Sequence, residues 1–143
     1  MRQTQKTFTR KAFTLIELLV VIVIIALLSS LVAPQLFGKL DNAKVKTTQA
    51  QMEIISSQLD SFKLDIGRYP TSEEGLKVLW DKNSDIDGWN GPYLKKPLKG
   101  DAWKKPYVYK FPGSNGNEYD LLSLGADGQV GGEDDKADIS VWE

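Results

Sequence analysis

The sequence predicts an α+β fold, with one long N-terminal helix whose outer half packs on a small antiparallel β-sheet. Three observations carry this. Residues 13 to 38 hold a single charge, Glu17, in an apolar run. Apolar residues then recur at intervals of three and four as far as Ile66. From Pro106 onward, aromatic stretches with alternating pattern are separated by turns rich in Gly and Asn.

The first twelve residues are a basic leader. Arg2, Lys6, Arg10 and Lys11 stand there with no acid, which leaves 14 basic against 19 acidic side chains in the rest of the chain. Such a balance speaks against a nucleic-acid partner, since a phosphate binder needs a basic surface. The chain has no cysteine and no histidine. Disulfides, thiol catalysis and sulfur-ligated zinc are excluded, and so is the commonest general base. A hard metal held by oxygen remains possible, and no enzymatic constellation stands out.

Residues 13 to 33 would span about 30 Å as a helix, the thickness of a hydrocarbon core. Basic residues before the run and none directly after it place the N-terminus in the cytoplasm. A cleavable secretory signal explains the length, but its cleavage point would be Leu31-Val32-Ala33 with Pro34 directly after. Neither that reading nor a plain anchor explains Glu17. A lone carboxylate in such a segment costs roughly 3 kcal/mol. A cut between Ala12 and Phe13 would create a free amine, and Glu17 is placed to pair with such an amine, its own or a neighbouring subunit's.

Lys11-Ala12-Phe13-Thr14-Leu15-Ile16-Glu17 resembles the prepilin peptidase site of type IV pilin-like proteins. The resemblance implies that the leader is cut on the cytoplasmic side, that Phe13 is methylated, and that Glu17 contacts a neighbour's N-terminus during assembly. Ala12 departs from the Gly usual in that family, which implies slower cleavage.

Beyond Gly38 the helix turns amphipathic. Leu36, Leu40, Ala43, Thr47, Ala50, Ile54, Leu59, Phe62 and Ile66 trace one face, and Gly67 and Pro70 stop it. A helix over 13–66 would be about 80 Å long, more than one small domain can cover. Pro34 and Gly38 mark its junction, either as a tolerated kink or as a point that loosens when the subunit leaves the membrane.

Thr71 and Glu74 have the spacing of a capping box opening a short helix, with Leu76, Leu79 and Trp80 turned inward. Residues 81–103 read as a structured loop pinned by Trp89, Tyr93 and Trp103. Strands are expected at Pro106–Phe111, Glu118–Leu124 and Asp138–Trp142, the first two joined by the turn "PGSNGN".

The loop "LGADGQVGGEDDKAD", residues 124–138, carries Asp127, Glu133, Asp134, Asp135 and Asp138 against Lys136 alone. It reads either as a solvated turn around Asp127-Gly128 or as a calcium loop, since calcium takes carboxylate and carbonyl oxygens and glycines let the chain wrap an ion. Its spacing is not that of an EF-hand. With "GRYPTSEEGL" at 67–76 and "YDLLSLGADG" at 119–128, the loop resembles that of the major pseudopilins of type II secretion systems. The resemblance implies a pilin-like fold and a calcium site with side-chain oxygens from Asp127, Asp134 and Asp135. Backbone carbonyls of Leu124 and Gln129 would complete it, with Glu133 beside them.

These readings divide the chain into a leader at 1–12, a helix at 13–66 with its transmembrane part at 13–33, and a periplasmic globular part at 67–143. The expected function is structural. The subunit would wait in the inner membrane, then polymerise with itself and with minor pseudopilins into a periplasmic pseudopilus that drives folded proteins across the outer membrane. Prepilin peptidase and an inner-membrane assembly platform with a separate cytoplasmic ATPase would be its partners, since the chain holds no phosphate-binding loop. A type IV pilin, a minor pseudopilin and a membrane-anchored periplasmic binding module are the alternatives.

Overall fold

The computed structural model describes residues 10–82 and 85–143. The first nine residues of the expected leader lie outside them. The chain divides into two compact units, Met1–Lys39 and Leu40–Glu143, and the division falls inside a helix next to Gly38.

That helix, α1, runs from Leu15 to Ile66 without interruption at Pro34 or Gly38. In the first unit its apolar side chains all face outward, among them Leu19, Ile22, Ile25 and Leu28, each half-exposed or more. The run is long and apolar enough to cross a membrane. At the far end the Gly67 N–H caps the Lys63 carbonyl at 2.7 Å, with φ at +88°, a conformation that ends a helix at little cost only for glycine.

In the second unit the sheet is antiparallel, in the order β1 (Val108–Lys110), β2 (Asp120–Ser123) and β3 (Ile139–Ser140). Tyr109 stands opposite Leu121, and Ser123 opposite Ile139. The β1–β2 connection turns at Asn115-Gly116, both with positive φ, as the Asn117 N–H reaches the Ser114 carbonyl at 2.9 Å. All three strands fall inside the predicted segments, shorter at their ends. The predicted short helix opening at Thr71 is instead a turn followed by a 3₁₀ helix, Leu76–Leu79. Gly75 at φ +62° separates the two and prevents a continuous α-helix.

The face of α1 that meets the sheet differs from the predicted one. Thr48, Met52, Ile55, Leu59 and Phe62 are buried, whereas Leu36, Leu40 and Ile54 are about half-exposed. Leu59 and Phe62 lie on the predicted stripe, and stepping back from them in threes and fours gives 55, 52 and 48. The outer half of α1 thus carries apolar residues on more than one face. Periodicity alone could not say which face belongs to this chain's own core. Tyr119, Leu121 and Ile139 complete that core from the sheet side, with Tyr69 and Leu79 buried among them. Trp89, Tyr93 and Trp103 pack on it as expected, and the Trp89 indole N–H donates to the Val78 carbonyl at 2.7 Å.

One buried polar group fastens the loop before β1 to the sheet. Asp101 is 5% exposed and accepts from the Trp103 and Lys105 N–H groups at 3.0 and 2.9 Å. Its other oxygen accepts from the buried Ser123 hydroxyl at 2.6 Å. Asp101→Ala strands three donors and is expected to cost roughly 2–3 kcal/mol in chemical unfolding. Asp101→Asn keeps the acceptor for the two N–H groups and is expected to cost less than half as much. Equal losses from the two variants would show that the hydrogen bonds do not matter.

Candidate functional site

Three stretches single themselves out. The first is the start of α1. The Thr14 N–H donates to Glu17 Oε2 at 3.0 Å, and the Glu17 N–H donates to Thr14 Oγ1 at 3.2 Å. Together they form a reciprocal capping box on a helix end whose donors otherwise lack partners. Glu17 therefore has a use within its own chain, which the sequence reading missed. Thr-x-x-Glu before an apolar run was the available signal. Phe13 is 90% exposed and lies with Ile16, Leu18, Val20 and Val21 around Glu17, so the carboxylate sits in an uncovered apolar surface.

A second such box lies in the 67–76 segment. The Thr71 N–H donates to Glu74 Oε2 at 2.8 Å and the Glu74 N–H to Thr71 Oγ1 at 3.2 Å. Arg68 adds a two-pronged pair to the same carboxylate at 2.7 and 2.8 Å. The Arg68 hydrogen bonds hold the Glu74 carboxyl below its ordinary pKa, aided by Thr71 and opposed by burial. Tyr69 places its hydroxyl 2.9 Å from Asp60 and 2.8 Å from Glu118. Burial first, and those two acids next, push that phenol far above its ordinary value.

The acidic loop joins β2 to β3 and includes the short 3₁₀ helix Asp134–Lys136. The Ala126 N–H bonds to the Asp135 carbonyl at 2.8 Å, which closes its base. The Lys105 ammonium donates to the Ala126 carbonyl. Gly125, at φ +67°, lies so close to the returning strand that a Cβ would stand 2.7 Å from the Ala137 carbonyl oxygen. Asp127 Oδ1 accepts from the Gln129 N–H at 3.0 Å, and Asp138 Oδ2 accepts from the Gly131 N–H at 3.0 Å. Asp138 Oδ1 is buried with no hydrogen-bond partner among the described residues. Asp127, Glu133 and Asp134 are exposed, Asp135 is half-buried, and the described residues hold no group of three acids gathered as a metal site. The donor set suits a hard cation in kind, and the orphaned Asp138 oxygen is an unmet demand of the same kind. Asp138 and Lys105 were not among the expected site residues.

Residues 35–142 match the family model described as type II secretion system (T2SS), protein G. The chain belongs to that protein G family. Residues 8–33 match the prokaryotic N-terminal methylation motif. The type II secretion system core protein G of Pseudomonas aeruginosa is 42% identical over 137 residues, covering 94% of this chain and 96% of that protein. The protein of the same name from Vibrio cholerae is 38% identical over 141 residues, covering 96% and 95%. The crystal structure of the major pseudopilin from the type 2 secretion system of enterohaemorrhagic Escherichia coli is similar at a TM-score of 0.57. It is 32% identical, covering 76% of this chain and 95% of that one. Membership of the protein G family makes the chain a pseudopilin, a structural subunit of the type II secretion pseudopilus. The pilin-like fold expected from the sequence is borne out. The expectation of a type II secretion pseudopilin prevails over a type IV pilin or a periplasmic binding module. The apolar helix and the methylation motif fit a single-pass protein of the inner membrane.

Proposed function

We propose that this pseudopilin is the major, non-enzymatic subunit of its filament and is activated by a cut between Ala12 and Phe13. The N-terminus would face the cytoplasm, with residues 67–143 in the periplasm. The freed Phe13 amine is methylated, and Glu17 of an incoming subunit pairs with the amine of its neighbour. Prepilin peptidase, minor pseudopilins and an assembly platform with its own ATPase are the partners this route needs. The observation that carries it is the methylation motif over residues 8–33, which brackets the cut site and Glu17 together.

Mass spectrometry of the N-terminus tests it. The chain purified from membranes should begin at methylated Phe13 when prepilin peptidase is present, and at Met1 when it is absent. A chain beginning at Pro34 would point to an ordinary secretory signal and remove the filament role.

Calcium is proposed as the ion of the acidic loop, held by Asp127, Asp134 and Asp135 with the carbonyls of Leu124 and Gln129. What supports it is the density of oxygen donors, the positive-φ glycines at 125, 128, 131 and 132, and the unpartnered Asp138 oxygen beside them. The ion would serve as the staple that disulfides provide elsewhere in small extracytoplasmic domains. The loop would have to draw its acids together on binding.

A further inference from the structure

The outer surface of the second unit carries two features of opposite character. One is a groove of about 370 Å³ lined by apolar Leu76, Trp80, Leu98 and Tyr107 and by Lys77, Lys99 and Lys104. The three lysines are exposed. Lys99 and Lys104 make no ion pair among the described residues, and Lys77 has only a solvent-exposed partner, Asp81, at 3.4 Å. An exposed pair of that kind is weakly held and leaves Lys77 free to exchange partners.

The other feature is the tip of the acidic loop. Val130 is 86% exposed there, an apolar side chain on a glycine-flanked projection. Asp127, Glu133 and Asp134 lie within four residues of it in the chain, all exposed, with Lys136 in the loop and Lys105 against its base as the opposing charges. None of these acids forms an ion pair among the described residues. An apolar tip flanked in the chain by exposed acids thus stands on the same molecule as an apolar groove lined in part by exposed lysines.

The geometry points to a contact between copies, in which the Val130 tip of one subunit seats in the Leu76–Trp80 groove of the next, with Glu133 against its lysines. This rests on the polymer reading above. A contact between two different patches of one chain is heterologous, and such a contact builds an open helical filament where its rotation does not close into a ring, whereas self-complementary patches close into dimers. Charge of opposite sign on the two patches fixes the register and disfavours groove-to-groove and loop-to-loop encounters. Glu133 lies outside the proposed calcium ligand set, so its charge remains for the neighbour when an ion occupies the loop.

The absence of cysteine makes the test direct. Two full-length chains carrying different tags, Lys99→Cys and Val130→Cys, are produced in one cell with prepilin peptidase, the minor pseudopilins and the assembly platform with its ATPase, and treated with a mild oxidant. Both positions are exposed, so neither change disturbs the core. Filaments are collected by sedimentation and their disulfide-linked dimers separated by tag. The mixed dimer should exceed either like-with-like dimer at least tenfold. Adding Glu133→Lys to the Val130→Cys chain should lower the mixed dimer at least fivefold, and Glu133→Gln should lower it less. Filaments in which the mixed dimer is no commoner than the like dimers overturn the contact while leaving the polymer reading in place. An unchanged mixed dimer with Glu133→Lys overturns the charge pairing that defines it. Failure of the unsubstituted chain to form filaments overturns both readings at once.

Discussion

Glu17→Gln is expected to leave the inserted monomer intact and to lower filament yield roughly a hundredfold, when it is the only subunit present. The structure sharpens this expectation because it gives Glu17 a capping task beside the proposed intersubunit one, and the substitution separates the two. As the third residue of the Thr14 capping box it accepts the Thr14 N–H at 3.0 Å, and glutamine serves that position as well as glutamate does. The start of α1 at Leu15 should therefore persist, seen as unchanged membrane insertion and helix content. The second task needs charge. In an apolar bundle the amine of a neighbouring Phe13 would have no other anion, since Glu17 is the only acid between Phe13 and Lys39. Leaving one member of a buried ion pair without its partner costs about 3–5 kcal/mol, and each 1.4 kcal/mol is about tenfold in association. Glu17→Ala should lose both tasks and lower helix content at the N-terminus in addition. Should Glu17→Gln assemble normally and Glu17→Ala fail, the capping box would be the whole role of this residue, and the intersubunit pair would be wrong.

Sequence patterns recovered what is set by local chemistry. Gly67 ended the helix because only glycine takes φ +88° without strain, and Asn115-Gly116 made the turn its residue types demand. The 71–74 capping box formed with both of its hydrogen bonds. What escaped the sequence depends on contacts distant along the chain. Asp101 in a loop resembles any solvated acid until Ser123, 22 residues away, meets it. The buried stripe of α1 could not be chosen among several apolar faces without knowing where Tyr119 and Leu121 would stand. Thr14 was a different kind of miss. Its signal was local, but Glu17 already had an intermolecular explanation, and the nearer partner went unread.

Calcium removal is expected to lower the melting temperature of the second unit by roughly 10–30 °C. If the ion binds only the folded loop, it contributes about 2.7 kcal/mol at a hundredfold excess over Kd and about 4.1 kcal/mol at a thousandfold excess. In a domain of this size 1 kcal/mol moves the midpoint by about 4–8 °C. All four tryptophans lie between residues 80 and 142, so their fluorescence in the detergent-solubilised full chain follows this unit. The structure also decides which substitutions to use. Asp127 Oδ1 accepts the Gln129 N–H, and Asp134 sits at φ +54°. Alanine at either place would remove a turn or add backbone strain whether or not an ion is involved. Asparagine keeps the acceptor at 127 and tolerates positive φ at 134, so it removes only charge. Without a metal, Asp127→Asn and Asp134→Asn should relieve repulsion within the loop and leave stability equal or higher. With calcium as the ligand, each should lower the midpoint in calcium and shrink the shift on chelation. Magnesium should restore little of it, because it demands tighter octahedral geometry and sheds its water reluctantly. A melting curve of the unsubstituted chain that is the same in calcium and in chelator would remove the ion from the loop. The buried Asp138 oxygen would then need another partner.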